Sequence, residues 1–237
     1  MPSSAGGSGT INIATWNIRC GRREALHSTG RALESLNVDF AFIQETKITD
    51  GIYPSRTEGG YNVISTNGFS KSKGGVALMW RRREYFEVEN QKEWNNNVMT
   101  AQIRAGQFKY YIVGCYLPPD DSALDIFEHV KEAWAACPKG FSPLLLGDLN
   151  LDVDHPKDNG RDNQIIKEVE NKWGLDTTFE HFYRRGGKTI IGEWTWRQFR
   201  EGKWHSRQID YIMFCPKDRN KIKSTGRRLA CYHETDH

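Results

Sequence analysis

Short apolar runs with the length and composition of β-strands alternate with a few helical stretches from residue 11 onward. Neither repeats nor low-complexity linkers interrupt this alternation. The pattern therefore predicts a single domain over residues 10–237, preceded by a flexible leader over residues 1–9. The strand candidates cover residues 11–18, 39–46, 61–66, 75–80, 98–104, 108–117, 144–150, 194–199 and 208–214.

Three segments have the spacing of amphipathic helices. Their apolar faces are formed by Leu26, Gly30, Leu33 and Leu36, by Leu124, Phe127, Val130 and Trp134, and by Ile166, Val169 and Trp173. Ser122 and Asp125 are spaced like a capping box, and Gly174 stands where a helix often ends in glycine. About nine strands with three helices, several strand pairs being joined by short loops, favour an α/β fold in which stacked sheets are flanked by helices.

The composition excludes several classes of protein. No apolar run approaches the roughly 18 residues that a membrane span needs, and residues 1–9 lack the basic and apolar regions of a secretory signal. The cysteines are scattered and never have CxxC spacing: Cys20, Cys115, Cys137, Cys215 and Cys231. This argues against a disulfide framework and a zinc ribbon, and it favours a reducing intracellular compartment.

The net charge of +3 conceals an uneven distribution. Residues 184–207 hold seven Lys or Arg against two Glu, and residues 216–228 hold six against one Asp, so each segment carries +5 and the remainder −7. Such polarity is compatible with an ordinary solvated surface. A basic C-terminal third nevertheless suits a phosphate-rich partner.

Polar side chains interrupt several apolar strands at their C-terminal ends. The residues concerned are Asn17, Glu45, Asp148, Asn150 and Asp210. Each alone is more typical of a strand-end turn, but a buried carboxylate is unfavourable unless a cation or hydrogen bonds compensate its charge. Because the feature recurs, it predicts one shared oxygen-rich pocket, of the kind that suits Mg²⁺ or Mn²⁺ rather than Zn²⁺.

The motifs TWNI, QET, YLPP, GDLN, TW, IDYI and TDH follow one another in this order along the chain. Each motif is weak by itself, but seven in register resemble the endonuclease/exonuclease/phosphatase superfamily, the deoxyribonuclease-I-like enzymes. The TDH ending and the QIDYI segment are most similar to endonuclease domains of non-LTR retrotransposons, with apurinic-site endonucleases next. The resemblance implies a four-layer α/β sandwich of two mixed sheets, a magnesium-dependent phosphodiesterase, a DNA substrate and, for a retrotransposon, a nuclear location.

The resemblance also implies a role for each residue of the predicted pocket. Metal binding falls to Asn17, Glu45 and Asp236, and catalysis to Tyr116, Asp148, Asn150, Asp210 and His237. Tyr116 would contact the scissile phosphate, Asp148 would orient or deprotonate the attacking water, and Asn150 would hydrogen-bond phosphoryl oxygens. His237 would polarise the phosphate or act as an acid or base, with Asp210 fixing its ring. Phosphodiester hydrolysis needs charge neutralisation, an activated water and a stabilised leaving alkoxide, which this set supplies; the number of metal ions stays open.

Other interpretations of these residues stay open. Asn17 fits a plain turn, Tyr116 fits a core aromatic, and His237, as the last residue, fits a frayed terminus. Cys231, His233 and His237 give only a weak zinc signal.

The chain departs from the superfamily pattern at three points. Leu149 stands where Phe is commoner, and Thr235 stands where Ser is commoner. The superfamily continues with one more strand in the central sheet, so the resemblance implies that this chain lacks its last strand. That strand would anchor Asp236 and His237 beside the strand that carries Asn17.

The segment from residue 193 to 208 mixes cations with tryptophans around a Glu201-Gly202 pair that predicts a hairpin tip. The predicted nucleic-acid contacts are Arg197, Arg200, Lys203, Trp204 and Arg207. Cations for the backbone and planar groups for bases suit such a contact, although a salt-bridged hairpin with core tryptophans fits as well. These features favour a DNA-nicking endonuclease of a non-LTR retrotransposon. The alternatives are an apurinic/apyrimidinic repair endonuclease, a phosphatase or phospholipid phosphodiesterase of the same superfamily, and an inactive DNA-binding remnant.

Overall fold

The computed structural model describes residues 10–19, 23–49, 55–57, 59–68, 74–83, 86–153, 160–178 and 194–225. The predicted leader over residues 1–9 and the predicted site residues Asp236 and His237 lie outside the described residues. Within the described part, the strands form a five-stranded sheet, a six-stranded sheet and a separate two-stranded hairpin.

The first sheet is built from the apolar runs of the N-terminal third. Its strands are β1 (Ile13–Asn17), β2 (Phe40–Gln44), β3 (Ser55–Arg56), β4 (Tyr61–Ser65) and β5 (Val76–Arg81). They lie in the order β1-β2-β5-β4-β3, with β1 and β2 parallel and the other pairs antiparallel. Strand β2 is buried at every position, which explains its unbroken apolar run FAFI, because both of its faces are covered.

The second sheet carries most of the remaining predicted strands. Its members are β6 (Phe86–Asn95), β7 (Val98–Ala105), β8 (Phe108–Tyr116), β9 (Ser142–Asp148), β10 (Asp176–Thr177) and β13 (Asp210–Phe214). They lie in the order β10-β13-β9-β8-β7-β6, and the β8–β9 pair is parallel while the other pairs are antiparallel. Both sheets are therefore mixed, as expected.

Three apolar clusters join the layers. The helices are α1 (Arg23–Ser35), α2 (Ser122–Ala135) and α3 (Gly160–Ile166). Leu33 of α1 clusters with Ile43 on the outer face of the first sheet, and Phe42 clusters with Ile112 between the two sheets. Phe127 of α2 belongs to the cluster on the outer face of the second sheet. The predicted four-layer α/β sandwich is thus confirmed.

Two details predicted for the helices are wrong. Helix α1 ends at Ser35, so Leu36 lies beyond it and is 39% exposed instead of sharing the buried face. The capping box at Ser122 does not form, because Asp121 is the N-cap residue and makes no side-chain cap. Instead, the Ser122 backbone N–H donates to Asp120 Oδ1 at 3.1 Å.

The third predicted helix has two kinds of turn. Helix α3 continues as a π-helical stretch over Lys167–Lys172. Gly174 follows with a φ of 61°, and the Leu175 N–H donates to the Val169 carbonyl at 3.1 Å. The predicted glycine at the end of this helix is confirmed, since glycine takes the left-handed conformation without a steric penalty.

Two glycines allow close approaches around β8 and β9. A Cβ on Gly114 would lie 2.2 Å from the Phe42 ring, so glycine lets the two sheets pack closely here. A Cβ on Gly147, whose φ is 143°, would lie 1.8 Å from the Cys115 carbonyl oxygen. Any larger residue at Gly147 would therefore push apart the two parallel strands directly beside Tyr116 and Asp148.

The basic segment predicted to form a hairpin does so. Strands β11 (Trp196–Arg200) and β12 (Lys203–Arg207) pair with each other. Glu201 and Gly202 form the tip with φ values of 51° and 75°, as the tightest hairpin turns require. No helix in the described ranges is long and apolar enough to cross a membrane, and Cys115, Cys137 and Cys215 are free thiols.

Candidate active site

Strand register brings three of the predicted residues into one row at an edge of the second sheet. Tyr116 on β8 is opposite Asp148 on β9, and Asp148 is opposite Asp210 on β13. Asp210 begins its strand instead of ending it as predicted, but it reaches the same edge because β13 runs antiparallel to β9. Residues in register on neighbouring strands project from the same face of a sheet, so the three side chains share one face.

Asn17, the last residue of β1, links the two sheets. Its Nδ2 donates to Glu45 Oε1 at 2.9 Å and to Asp148 Oδ2 at 2.8 Å. Its Oδ1 accepts a hydrogen bond from the Arg19 backbone N–H at 3.1 Å. Asn17 is fully buried, so two carboxylates share one amide group away from water. This position at the centre of the site argues against a plain turn residue.

Glu45 carries a negative charge in this arrangement. Burial by itself would raise its pKa, but hydrogen bonds from Asn17 and Lys47, the charge of Lys47 and a hydrogen bond from Tyr116 together hold the pKa below its ordinary value. Lys47 Nζ lies 2.9 Å from Glu45 Oε2. The carboxylate is therefore ionised at neutral pH and already attracts a cationic group.

The Tyr116 hydroxyl stays protonated and donates a hydrogen bond. Burial, followed by the negative charges of Glu45 and Asp148, raises the pKa of Tyr116 well above its ordinary value. The ring belongs to the apolar cluster between the sheets, while the hydroxyl is hydrogen-bonded to Glu45. The core-aromatic interpretation therefore holds for the ring, and the hydroxyl faces the site.

Asp148 and Asn150 are held by the loop that follows β9. Asp148 Oδ1 accepts a hydrogen bond from the Asn150 backbone N–H at 2.8 Å. Asn150 Nδ2 donates to the Leu117 carbonyl at 2.9 Å. The loop after β9 is thus tied to the loop after β8, and the two carboxylate oxygens of Asp148 have fixed directions.

Arg161 on α3 is hydrogen-bonded to the same two loops. The sequence did not predict it as a site residue. Its guanidinium donates to the Asn150 carbonyl at 2.9 Å and to the Pro118 carbonyl at 3.2 Å. It also pairs with the fully buried Asp162 at 2.8 Å. No local pattern marks Arg161, because its partner Pro118 lies 43 residues away in sequence.

Four non-glycine residues near the site have a left-handed backbone. They are Arg19 (φ 46°), Glu45 (51°), Lys47 (51°) and Asn150 (49°). This conformation costs about 1–2 kcal/mol for most L-amino acids, although Asn tolerates it better. The Lys47 N–H donates to the Gly74 carbonyl at 3.0 Å, which helps to hold its backbone. Local strain of this kind concentrates at functional sites.

An open cleft of about 1270 Å³ lies over this edge of the two sheets. Residues of the predicted site that line it are Glu45, Tyr116 and Asn150. The hairpin contributes Trp196, Gln198, Arg200 and Arg207, and the first turn of α2 with the residues before it contributes Asp120, Asp121 and Asp125. The cleft therefore has a basic part, which includes the hairpin, and an acidic part.

Alternation along the hairpin divides the predicted nucleic-acid contacts between two faces. The register places Arg200, Lys203 and Arg207 on one face, from which Arg200 and Arg207 line the cleft. Arg197 and Trp204 lie on the other face, where the Arg197 guanidinium stacks 3.9 Å from the centroid of the Trp204 ring. Trp204 is 56% exposed, so it is a surface aromatic and not a core tryptophan.

The second basic segment lies at the far end of β13 from the cleft. It begins with a 3₁₀-helix over Pro216–Lys221 that follows Phe214. Arg219 pairs with Asp176 at 2.7 Å, and Lys221 pairs with Asp218. Of the described basic residues in these two segments, Arg200 and Arg207 of the hairpin are therefore the ones that line the cleft.

The described residues fit a hard divalent cation. The carboxylates of Glu45 and Asp148 converge on the Asn17 amide, and they offer oxygen donors of the kind that Mg²⁺ and Mn²⁺ prefer. In the part of the chain that the structure describes, no group of three or more His, Cys, Asp or Glu side chains lies close enough to hold a metal. The third predicted ligand, Asp236, is outside that part.

Asp210 is positioned by a residue of the TW motif. Thr195 Oγ1 accepts hydrogen bonds from the backbone N–H groups of Ile209 and Asp210, each at 3.0 Å. His237, whose ring Asp210 was predicted to fix, lies outside the described residues, as do Cys231 and His233. The roles of His237 and Asp236 therefore stay predictions.

Several solved structures share this fold. The endonuclease domain of TRAS1, a telomere-specific non-LTR retrotransposon, is 18% identical with a TM-score of 0.67, over 96% of this chain and 95% of that chain. An AP endonuclease from Archaeoglobus fulgidus is 18% identical with a TM-score of 0.66, over 89% of each chain. The Xenopus laevis APE2 catalytic domain is 19% identical with a TM-score of 0.63, over 88% of this chain and 83% of that chain. At such identities the likeness shows the fold alone.

Two sequence matches bear on the family. Craniofacial development protein 2 of Bos taurus is 21% identical over 243 residues, which take in 95% of this chain but 39% of that protein. The chain thus spans well under half the length of this relative. The profile of the Endonuclease/Exonuclease/phosphatase family matches residues 14–229, a range that contains the row of Tyr116, Asp148 and Asp210. The chain therefore belongs to the Endonuclease/Exonuclease/phosphatase family.

Proposed function

We propose that this chain is a divalent-metal-dependent DNA endonuclease that nicks one strand, and that it serves as the endonuclease domain of a non-LTR retrotransposon. The observation that supports this most directly is the Asn17 amide shared between Glu45 and Asp148, at 2.9 and 2.8 Å. This arrangement forms the floor beneath an open cleft: Glu45 lines the cleft together with Arg200 and Arg207, whereas Asn17 and Asp148 are buried behind Glu45. The carboxylates suit hydrolysis of a phosphodiester, and the nearby arginines suit binding of the longer polyanion that contains it.

Each floor residue has a step that its geometry supports. Asp148 is well placed to orient a water and accept its proton, because both of its oxygens are fixed by hydrogen bonds; such general base action contributes about 10² to 10⁴ in rate. With substrate bound, the Tyr116 hydroxyl would turn its hydrogen from Glu45 to a phosphoryl oxygen, and the Asn150 amide would hydrogen-bond to the same group. When bound, Mg²⁺ or Mn²⁺ would be held by Glu45 and Asn17, with Asp236, and would neutralise charge on the phosphate.

The shape of the cleft favours a polymer over a small phosphate ester. Pockets for small molecules are mostly about 300–1,000 Å³ and bury most of their ligand, whereas this cleft is open and about 1270 Å³ in volume. The hairpin adds a row of cations, Arg200, Lys203 and Arg207, along one face. We expect this face to contact the phosphate backbone of DNA. As the endonuclease domain of a retrotransposon, the protein would act in the nucleus.

Nicking of supercoiled plasmid tests the proposal. Wild-type protein should convert it to open circles with Mg²⁺ and not with a chelator, and Asp148→Asn should remove the activity. Asp176→Asn is the matched control, because it makes the same chemical change at the far end of the second sheet. Hydrolysis of an inositol polyphosphate or sphingomyelin without plasmid nicking would overturn the proposal. Cleavage confined to abasic duplex would favour a repair endonuclease instead.

A further inference from the structure

The row of polar residues at the edge of the second sheet has a fourth member, Asn97. The Tyr116 backbone N–H donates to the Asn97 carbonyl at 2.9 Å, and the next pair in register is Val98 with Cys115. Asn97 therefore extends the row of Asp210, Asp148 and Tyr116 by one strand. Because rows in register share a face of the sheet, the Asn97 side chain lies on the face that carries the candidate chemistry.

The Asn97 side chain is buried, and its Oδ1 makes no hydrogen bond in the described part of the fold. The residue is 8% exposed and lines the cleft. The neighbouring Asn95 closes the turn, since its Oδ1 accepts the Asn97 backbone N–H at 2.8 Å. A buried amide without a partner is unfavourable and uncommon in folded proteins. The amide would gain a partner if it turned toward a ligand in the cleft.

We propose that Asn97 is a substrate-positioning residue whose side-chain amide hydrogen-bonds to a phosphodiester of the bound strand beside Tyr116. This inference rests on the proposed function and adds a contact to it. A phosphodiester offers only acceptor oxygens, so the amide must present its N–H₂ group. Oδ1 is closed to solvent in the described structure, so the contact requires a side-chain rotation that turns the N–H₂ group toward the cleft, which Asn97 lines.

Binding measurements on chemically modified DNA test this contact. The Asp148→Asn background keeps the DNA intact, and a duplex set in which one phosphate at a time becomes a neutral methylphosphonate reports each phosphate separately. Asn97→Ala should weaken binding of unmodified duplex by about 10- to 100-fold, as expected for one hydrogen bond to a charged group. At one phosphate, the weakening caused by methylphosphonate should disappear in Asn97→Ala, because the two changes remove the same interaction.

Two controls separate this role from a structural one. Asn97→Ala should leave the thermal midpoint unchanged or raise it, because the variant removes a buried amide whose Oδ1 has no partner in the described part of the fold. Asn220→Ala, at an exposed site beyond β13, should change neither DNA binding nor the thermal midpoint. Additive effects at every phosphate, with normal folding, would overturn the role of Asn97 and leave the proposed function in place. Absence of DNA binding by all variants, the Asp148→Asn parent included, would overturn both.

Discussion

The floor of the cleft and the hairpin beside it are built in opposite ways. Floor residues end the strands of two packed sheets, and Asn17 and Asp148 are fully buried where they meet. The hairpin pairs only with itself among the described strands, and it exposes Phe199 and Trp204 at 57% and 56%. An isolated two-stranded hairpin is marginally stable, whereas central strands open only when the whole domain opens.

Under the proposed function, this difference assigns the chemistry to the floor and the contact with DNA to the hairpin. None of the three apolar clusters of the described residues includes a hairpin side chain. Changes on the hairpin should therefore alter affinity and target preference without altering the reaction. Changes at Asp148 and the other residues of the proposed reaction should do the reverse, whereas Asn97, which lies in the same row, should affect binding.

Asp148→Asn should slow nicking by about 10² to 10⁴-fold, the usual contribution of a general base. DNA affinity should stay near that of the wild type, because asparagine has nearly the same shape and still accepts a hydrogen bond from Asn17. Single-turnover nicking rates and fluorescence anisotropy measure the two quantities. An equal decrease in affinity would show that the floor also carries much of the binding.

Arg161→Ala should lower the free energy of unfolding by about 3–5 kcal/mol, because it leaves the buried Asp162 carboxylate without this cation. It should also reduce nicking, since the loops that contain Pro118 and Asn150 lose the hydrogen bonds by which Arg161 joins them. Urea unfolding measures the first effect. Arg161→Lys keeps the charge but not the planar fork, and it should give intermediate values; full stability in Arg161→Ala would contradict this role of Arg161.

Replacing Arg200, Lys203 and Arg207 with Ala should weaken DNA binding and flatten its salt dependence. The log–log slope should change by about 0.9 for each DNA phosphate that the variant no longer neutralises. The nicking rate at saturating DNA should not change. Arg197→Ala is the matched control, since Arg197 stacks on Trp204 on the other face of the same hairpin. A similar flattening in Arg197→Ala would show that the outer face binds DNA too.

Glu45→Gln should have a pH-dependent effect on stability in chelated buffer. The folded-state pKa of Glu45 lies below its ordinary value, so its ionised form stabilises the fold above the unfolded-state pKa of about 4.3, and this contribution is lost as the pH falls through the folded-state pKa. The difference in thermal midpoint between wild type and variant should be constant near neutral pH and shrink below about pH 4. The same difference for Arg200→Ala, on the hairpin, should not vary in this way.

The layers and much of the floor could be predicted because short apolar runs end in polar residues at one edge. Strands β1, β2 and β9 follow this rule, the same pattern picked out Asp210 although it begins β13, and the ordered motifs add Tyr116. Strand β6 was missed, because it lies at the edge of its sheet with mostly polar side chains and its register shifts between Glu89 and Lys92. Local periodicity is weak in such a strand.

Residues that act through distant partners could not be predicted. Arg161 acts through the carbonyls of two loops, and Asn97 matters through its register with Tyr116, which no local pattern reveals. The two faces of the hairpin could have been predicted from the sequence. Once Glu201 and Gly202 form the tip, alternation along each strand places Arg197 and Arg200 on opposite faces.

The left-handed backbone at Arg19, Glu45 and Lys47 has a consequence for how this protein evolves. Glycine and asparagine adopt that conformation at lower cost. A population selected for heat resistance alone should therefore accumulate Gly or Asn at these three positions. Under the proposed function, selection for cleavage would keep the carboxylate of Glu45, so a Gly or Asn at that position would mark a lineage in which cleavage is no longer selected.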